Sequence, residues 1–527
     1  MQGRERADRQ LLDAQALVGH LVPEGSMFWF LAAHRQDLFP DDEFEDLFPS
    51  GKGRPSIPGS VMASVLVLQA LHDLSDRETA EAARCDLRWK VATGLALDHA
   101  GFDPSTLVYW RRRLAKSTRP HRINEAVRRV VEETGVLRGR GKRAVDSTIL
   151  ADAVATQDTV TQLIAAIRRV GRVVPGAAEA IAAVCTGHDY SRPGKPRIDW
   201  DEPGARDALV SGLVNDANAL LAAFAEVDQD GWEEPAQSAL ALLALVAGQD
   251  VEPAEGSDGT DGRWRIARKV APDRVISTVD EDARHTRKSP ENRRDGYRAH
   301  VAAEPETGII TDEALTKAAG ADNSDPAMAE KFLDAETEAC QWYGDSAYGT
   351  GDLRAAIDGT EGHAAVIKPK PLQAPVEGGF TVDDFTVDEQ AGTVTCPAGN
   401  ARPISKTRVA TFGVLCRGCP LRERCTTSKT GRTIVVHPHD ALLRQARRDW
   451  ADKADLRETY RTFRPNVERV ISQIASHGGR RLKLRYRGTT KNHAWLTRRT
   501  AGLNLRNLVG RGLTRTTGAW ELAAQTA

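Results

Sequence analysis

The chain contains no run of about 18 uncharged apolar residues, the length a helix needs to cross a bilayer. Its first residues, Met1-Gln2-Gly3-Arg4-Glu5-Arg6, lead into no apolar signal core. These two lacks predict a cytosolic protein. Cysteine is scarce, with seven in 527 residues, and four of the seven fall between 396 and 425. In a reducing compartment such a cluster points to metal rather than to disulfides. A net charge of one sign is missing too: 72 Lys and Arg against 73 Asp and Glu leave −1. What is present is globular in kind, 41% hydrophobic and 28% charged. A chain of this length exceeds one ordinary core, so two to four structural units are expected.

The balanced charge conceals segregation. Between Arg461 and Arg515 fourteen Lys and Arg face one acidic residue, Glu468. Between Ile198 and Gly262 fifteen Asp and Glu face the single Arg206. The local patch is the electrostatic footprint that a nucleic-acid partner meets, not the sum. A basic run is ordinarily a solvated face or a tail. This one carries Val467, Val470, Ile471, Ile474, Leu482, Leu484, Trp495, Leu503, Leu505 and Leu508, so it is expected to fold.

Residues 1–140 read as helical. Gly59 to Leu74 is rich in apolar residues, Ser75 with Glu78 fits a capping box, and Asp103-Pro104 fits an N-cap followed by proline at the first helical position. The helix that follows holds Tyr109, Trp110, Arg111, Arg112 and Arg113, which suits a DNA-binding module or a dimerisation unit. A strand around Asp146 comes next, then a mostly helical, acidic segment, 152–270, with helices over Asp207–Val227 and Pro235–Ala247. Strands at Tyr297–Ala303 and Gly308–Thr316 are joined by the turn Glu304-Pro-Glu-Thr-Gly308 as a hairpin. A helix over Asp325–Ala339, a strand ending at Asp345, a short helix from Gly351 and a strand at Ala364–Lys368 follow. After a cysteine-bearing segment, two helices run to about residue 510. With the two insertions removed, the order is β-β-β-α-β-α-β-α-α.

Three carboxylates stand out in that order. Asp146 lies inside the apolar run Arg143-Ala-Val-Asp-Ser-Thr-Ile-Leu150, Asp345 follows Gln341-Trp-Tyr-Gly, and Glu468 sits on a helical pattern in the basic stretch. Two strand aspartates and a helix glutamate can supply the hard oxygen ligands that Mg²⁺ takes in two-metal phosphodiester cleavage. Each also has a plain structural reading: a polar edge-strand residue, a cap for the Gly351 helix, and an i−4 partner of Arg464. Separately, Cys396, Cys416, Cys419 and Cys425 give C-x₁₉-C-x₂-C-x₅-C, one zinc-knuckle pair plus two further thiols, with His437 or His439 as a substitute ligand. Reduced structural thiols are the alternative, and Cys85, Cys185 and Cys340 are expected to be isolated and buried.

Further stretches carry a resemblance. Gly53-Arg-Pro-Ser-Ile-Pro58, Leu71-His-Asp-Leu-Ser-Asp-Arg-Glu78, Asp86-Leu-Arg-Trp-Lys-Val-Ala-Thr-Gly-Leu95 and Asp103-Pro-Ser-Thr-Leu with Arg111-Arg-Arg-Leu114 resemble the N-terminal module of bacterial insertion-sequence transposases of the DDE type. Asp282-Ala-Arg, Lys288-Ser and Gly296-Tyr-Arg-Ala-His-Val301 resemble the second-strand region of their core. Arg464-Pro-Asn-Val-Glu-Arg469, His477-Gly-Gly-Arg-Arg481 and Asn504-Leu505 resemble their C-terminal region. The likeness runs from about residue 50 to 510.

It implies an RNase H-like core, α+β or α/β with a mixed five-stranded sheet and helices, and Asp146, Asp345 and Glu468 as a catalytic triad holding Mg²⁺ (or Mn²⁺). The reaction implied is binding of terminal inverted repeats, strand cleavage and strand transfer, by a homodimer on double-stranded DNA at the bacterial nucleoid. The alternatives are a non-catalytic DNA-binding regulator or decayed transposase, and a processing nuclease. Some relatives carry Tyr-x₂-Arg-x₃-Glu-x₆-Lys around the glutamate; here Tyr460 is displaced by one residue and Ala475 stands at the lysine position. DNA contacts are expected from Arg464, Arg480, Arg481, Lys483, Arg485, Arg487, Lys491, Arg111, Arg112 and Arg113. The expected units are an N-terminal helical domain (1–140), a core (141–151 with 271–369, and 441–515), a helical insertion (152–270), a cysteine-bearing insertion (370–440) with structural zinc, and a tail (516–527).

Overall fold

The structure, a computed structural model, describes residues 1–4, 12–50, 52–192, 194–228, 231–271, 273–287 and 293–523. The Lys288-Ser pair of the resemblance lies outside them. At its centre is a mixed sheet built from β1 (Lys142–Ala151), β2 (Arg284–Arg287), β3 (Arg293–Ala303), β4 (Ile310–Lys317), β5 (Gln341–Gly344) and β6 (Ala364–Ile367). β1 pairs antiparallel with β3 and parallel with β5, and β5 pairs parallel with β6. The outer edge of β3 takes β2 along one half and β4 along the other, both antiparallel.

The sheet therefore has six strands rather than five. β2 escaped the sequence reading because Arg284-His-Thr-Arg287 has no apolar alternation to mark it. The expected β3–β4 hairpin is present: Glu304 N–H donates to Ile309 O (2.9 Å) and Gly308 N–H to Glu304 O (2.8 Å). Gly296 shows why that motif begins with glycine. Its φ is +147°, and a Cβ there would meet Leu150 O at 2.0 Å.

The period-2 alternation of the strands divides the core. Ala144, Leu150, Tyr297, Ala299, Val301 and Tyr343 face one way, into a core shared with the N-terminal helices and the C-terminal helices. Val145, Ala302, Trp342 and Ile367 face the other way, onto Phe332, Leu333, Leu353 and Ile357 of two crossing helices, Asp325–Ala335 and Gly351–Asp358. Seven α-helices lie between Ala14 and Thr134 among the described residues. The capping box is formed, with Ser75 N–H donating to Glu78 (2.7 Å) and Glu78 N–H to Ser75 Oγ (3.3 Å). The helix expected after Asp103-Pro104 starts one residue later than expected, at Ser105, with its N–H donating to Asp103 (2.8 Å).

Segment 152–270 has its own core, from Val160, Leu163, Val210, Leu213, Leu243 and neighbours, on helices Thr159–Val173, Ala177–Val184, Ala205–Ala223 and Glu234–Gln249. Its acidic turn joins two short strands, Val251–Pro253 and Trp264–Ile266.

After the cysteine-bearing unit come three helices, not two: Asp440–Asp452, Ala454–Ala475 and Thr489–Gly510, the first pair broken at Lys453. The last helix is rich in buried polar side chains with structural work. Asn504 grips edge strand β4, accepting from Ile310 N–H (2.9 Å) and donating to Ile310 O (2.8 Å). Arg499 is 1% exposed and donates to Gln473 O (2.6 Å), Ile474 O (2.9 Å), Ser476 O (2.9 Å) and Ala70 O (2.6 Å). It thereby satisfies carbonyls left open at the C-termini of two helices. Residues 513–522, expected in part as tail, form a hairpin with Trp520 buried beside Phe30 (ring centroids 5.8 Å). No helix among the described residues is long and apolar enough to cross a membrane.

The helix Arg122–Thr134 is tied to β4 through a buried carboxylate. Asn124 donates to Glu313 Oε1 (2.7 Å) and Arg128 to Oε2 (3.2 Å), and burial, against the pull of Arg128, pushes the Glu313 carboxyl up to about 7. In the unfolded chain it titrates near 4.3. The folded state thus retains a proton over a window in which the unfolded chain has released it. Stability from this group is full below about 4.3 and is lost as pH rises to about 7. Glu313→Gln removes that titration, so the thermal midpoint of the variant is expected to fall less steeply than wild type between pH 5 and 8. Parallel profiles would refute the assignment.

Candidate active site

Asp146 belongs to the even-numbered face of β1, the face on which the Ala454–Ala475 helix packs. Across the parallel pair, Ala144 stands opposite Tyr343. Carried on two residues, the same register sets Asp345, just past the end of β5, beside Asp146. Glu468 comes from the helix above. Its Val467, Val470 and Ile474 are buried, which turns the Arg464–Glu468 stripe over the strand ends.

One guanidinium gathers all three acids. Arg464 Nη2 lies 3.1 Å from Asp146 Oδ2 and 4.0 Å from Asp345 Oδ2, and Nη1 lies 3.6 Å from Glu468 Oε1. The Arg464 side chain is 6% exposed and that of Glu468 68%. The i−4 pairing expected as the plain reading of Glu468 is therefore real, and it belongs to a larger cluster. Asp345 does not cap the Gly351 helix, a role taken by Thr350; its Oδ1 accepts from Ala347 N–H (2.8 Å). Ser147 N–H donates to Asp146 Oδ1 (2.8 Å). Burial holds the Asp146 carboxyl above its ordinary range, with Arg464 and the Ser147 N–H pulling down and Asp345 adding to the rise. Nε and Nη1 of Arg464 are buried without a hydrogen-bond partner.

The three carboxylates open into a cavity of about 560 Å³, also lined by Arg298, Asp325 and Arg481. Arg298 and Asp325 were missed from sequence. Arg298 pairs with Asp325 (3.1 Å), and the imidazole of His300, held down to about 4 by burial, stands 3.6 Å from the same carboxylate. The available signal was the alternation in Tyr297-Arg-Ala-His, which puts Arg298 and His300 on one face of β3. Tyr348 is buried beside Asp325, Asp146 and Asp345, and burial first, then these charges, raise its phenol well above the ordinary value. Among the described residues no three His, Cys, Asp or Glu side chains stand at the spacing of metal ligands. Within this cluster the Arg464 guanidinium supplies the positive charge at the centre. Three hard-oxygen donors around a buried cationic position, open to solvent on one side, still form a donor set that suits Mg²⁺.

The basic residues divide. Arg480, Arg481, Lys483, Arg485, Arg487 and Lys491 are exposed, while Leu482 and Leu484 between them are buried. The segment lies along the end of β1, with Leu484 N–H donating to Ala151 O (2.8 Å), and so forms a cationic ridge beside the acidic cavity. Arg464 and Arg111, also expected to contact DNA, do not belong to this exposed ridge. Arg464 is enclosed by acids, and Arg111 donates to Asp76 Oδ1 (2.8 Å) and Gln69 Oε1 (3.3 Å) and lies over the Tyr486 ring (5.2 Å). Arg113 is half-buried, with its guanidinium over Phe48 and Tyr109, so Arg112 is the exposed member of that trio. Trp110 belongs to the core, against Phe44 and Phe48. Tyr460, displaced in the motif, packs edge-on to Trp450 (5.1 Å). Cys396, Cys416, Cys419 and Cys425 line one small cavity remote in sequence from the triad. Cys85 is exposed and Cys185 half-exposed, against the expectation of burial; Cys340 is buried.

Fold and site define an acidic centre at the end of a mixed sheet, bordered by an exposed basic ridge. Residues 395–509 match the family described as transposase DDE domain, and residues 18–113 match a transposase domain family, DUF772. No curated protein and no solved structure matches the chain. Both matches indicate a DDE transposase of an insertion sequence. The first match contains Glu468 and the basic ridge; Asp146 and Asp345 lie outside both.

Proposed function

We propose that this transposase binds the terminal inverted repeats of its element, cuts DNA there with Asp146, Asp345 and Glu468, and joins the freed 3′-OH to target DNA. The observation that carries this reading is the gathering of the three acids, from three separate elements, within 4.0 Å of the Arg464 guanidinium. With the edge strand β2 set aside, the strand order, three antiparallel strands (β1, β3, β4) followed by two parallel ones (β5, β6), supports an RNase H-like core. Mg²⁺ or Mn²⁺, when bound by the triad, would polarise the phosphodiester and activate the attacking hydroxyl. Asp146 is fixed by its strand and Asp345 by the Ala347 N–H, so these oxygens are presented at low reorganisation cost. Glu468, largely exposed, is the ligand with freedom to adjust. The ridge from Arg480 to Lys491 would neutralise DNA phosphates and hold the scissile strand over the cavity. Two ends imply a second copy of the chain in the complex, acting in the cytoplasm at the nucleoid.

The test is incubation of the chain with linear DNA ending in its element's repeats, plus a supercoiled target, with Mg²⁺ or EDTA. Metal-dependent nicking at the repeat boundary and joined product are expected. Cutting without joining would favour a processing nuclease, and repeat binding without cutting a regulator; either result overturns the proposal.

A further inference from the structure

We propose that Cys396, Cys416, Cys419 and Cys425 hold a structural zinc ion, independently of the reaction assigned to the triad. The four come from different pieces of one small unit. Cys396 follows the strand Thr393–Thr395, Cys416 ends the turn Gly413–Cys416, Cys419 lies in the next loop, and Cys425 ends the short helix Arg422–Cys425. Despite the separation in sequence, all four line a single cavity of about 20 Å³, room for one water-sized occupant. All four are free cysteines, and no three of them stand at ligand spacing. Zinc–sulfur bonds of about 2.3 Å in a tetrahedron are reached by closing the four side chains onto that space.

Two observations say the space calls for an ion. The first is the size of the core. Phe385, Val394, Ala410, Phe412, Ile434 and Val436 are the other residues of this unit's buried apolar cluster, and its strands are only three residues long. So small a core is of the kind that disulfides or a metal ordinarily staple. The second is charge. Arg432 is 6% exposed and lines the same cavity. Its backbone N–H donates to Cys416 Sγ (3.4 Å), its Nη1 to Cys425 O (3.3 Å), and its Nε has no partner. Arg422 adds a second guanidinium, donating to Cys416 O (3.2 Å). Beside four neutral thiols a buried guanidinium is uncompensated, which is costly. Beside zinc with four thiolates, a centre of net charge −2, it is the counter-ion, and the N–H to sulfur contact becomes a charge-assisted bond.

Binding is a simple exchange in which four thiols release four protons to solvent and four zinc–sulfur bonds form. With four thiolates the coordination is closed, so the role is structural. The unit is joined to the helix Asp440–Asp452, which leads into the Glu468 helix, by Arg444 donating to Val382 O (2.8 Å) and Arg447 to Asp383 (2.5 Å). Zinc would thus stiffen the approach to the glutamate.

The experiment uses the full chain, purified under reducing conditions and dialysed with zinc chloride alone. One zinc per chain is expected by elemental analysis. Titration of wild type with an organomercurial should release that zinc as four thiols react. Cobalt(II) in its place should give the sulfur charge-transfer and d–d absorption of a tetrahedral thiolate site. Cys416→Ser with Cys419→Ser should lose the zinc and the cobalt spectrum. The mercurial titration needs no variant, so misfolding of the double variant leaves the question decidable. Zinc-free protein with all four thiols reactive, a disulfide among the four, or undiminished zinc in the double variant would each overturn the site.

Discussion

Asp345→Asn is expected to lower end cleavage by about 10³-fold or more, since a lost metal ligand withdraws several kcal/mol of transition-state stabilisation at about 1.4 kcal/mol per decade. Folding should be spared for a local reason. The Asp345 side chain is 46% exposed, and its one structural bond is accepted by Oδ1 from Ala347 N–H, which the amide oxygen of Asn can also accept. Only the second oxygen, the one facing Arg464, is exchanged for an amide nitrogen, and that atom cannot ligate Mg²⁺. The measurement pairs a cleavage assay on repeat-ended DNA with a salt-resolved binding titration and a thermal melt. Lost cleavage with near-wild-type melting and binding is the expected pattern. Retained cleavage would remove Asp345 from the reaction.

The two aspartates could be found from sequence because a buried strand makes an acid conspicuous. Apolar residues flank Asp146, and Tyr343 and Gly344 precede Asp345, so both contexts announce a β-strand and a carboxylate at its edge or end. Register cannot be read from one strand alone, and the in-line placement of Asp146 and Asp345 emerged only from the β1–β5 pairing. Glu468 was legible through the helical period of Val467, Val470 and Ile474. Arg464 was half legible: its spacing to Glu468 was evident, but its burial was not, because composition counts every arginine as surface charge. The same error covers Arg498 and Arg499, buried on the last helix. β2 was hidden by its polar sequence. The terminal hairpin did leave a signal in Thr517-Gly518, whose positive φ values of 50° and 89° make the tight turn between its strands.

Arg464→Met, which keeps the length of the side chain and removes its charge, is expected to destabilise the metal-free protein by about 3 kcal/mol at pH 8, the usual scale for stripping one partner from a buried ion pair. The Asp146 carboxyl is already above its ordinary range because of burial, and Arg464 is the largest influence holding it down. Without Arg464 its folded pKa rises further above the unfolded value near 3.9. The folded variant then retains a proton that the unfolded chain releases, so its stability falls as pH rises through that window. The deficit relative to wild type should therefore shrink toward pH 5. A cation bound by the acids would replace the missing charge, so millimolar Mg²⁺ should recover more stability in the variant than in wild type. Thermal melts of both proteins at pH 5 and 8, each with Mg²⁺ and with EDTA, decide the matter. A deficit indifferent to pH and to Mg²⁺ would mean that Arg464 fills space in the core and does not balance the charge of the triad.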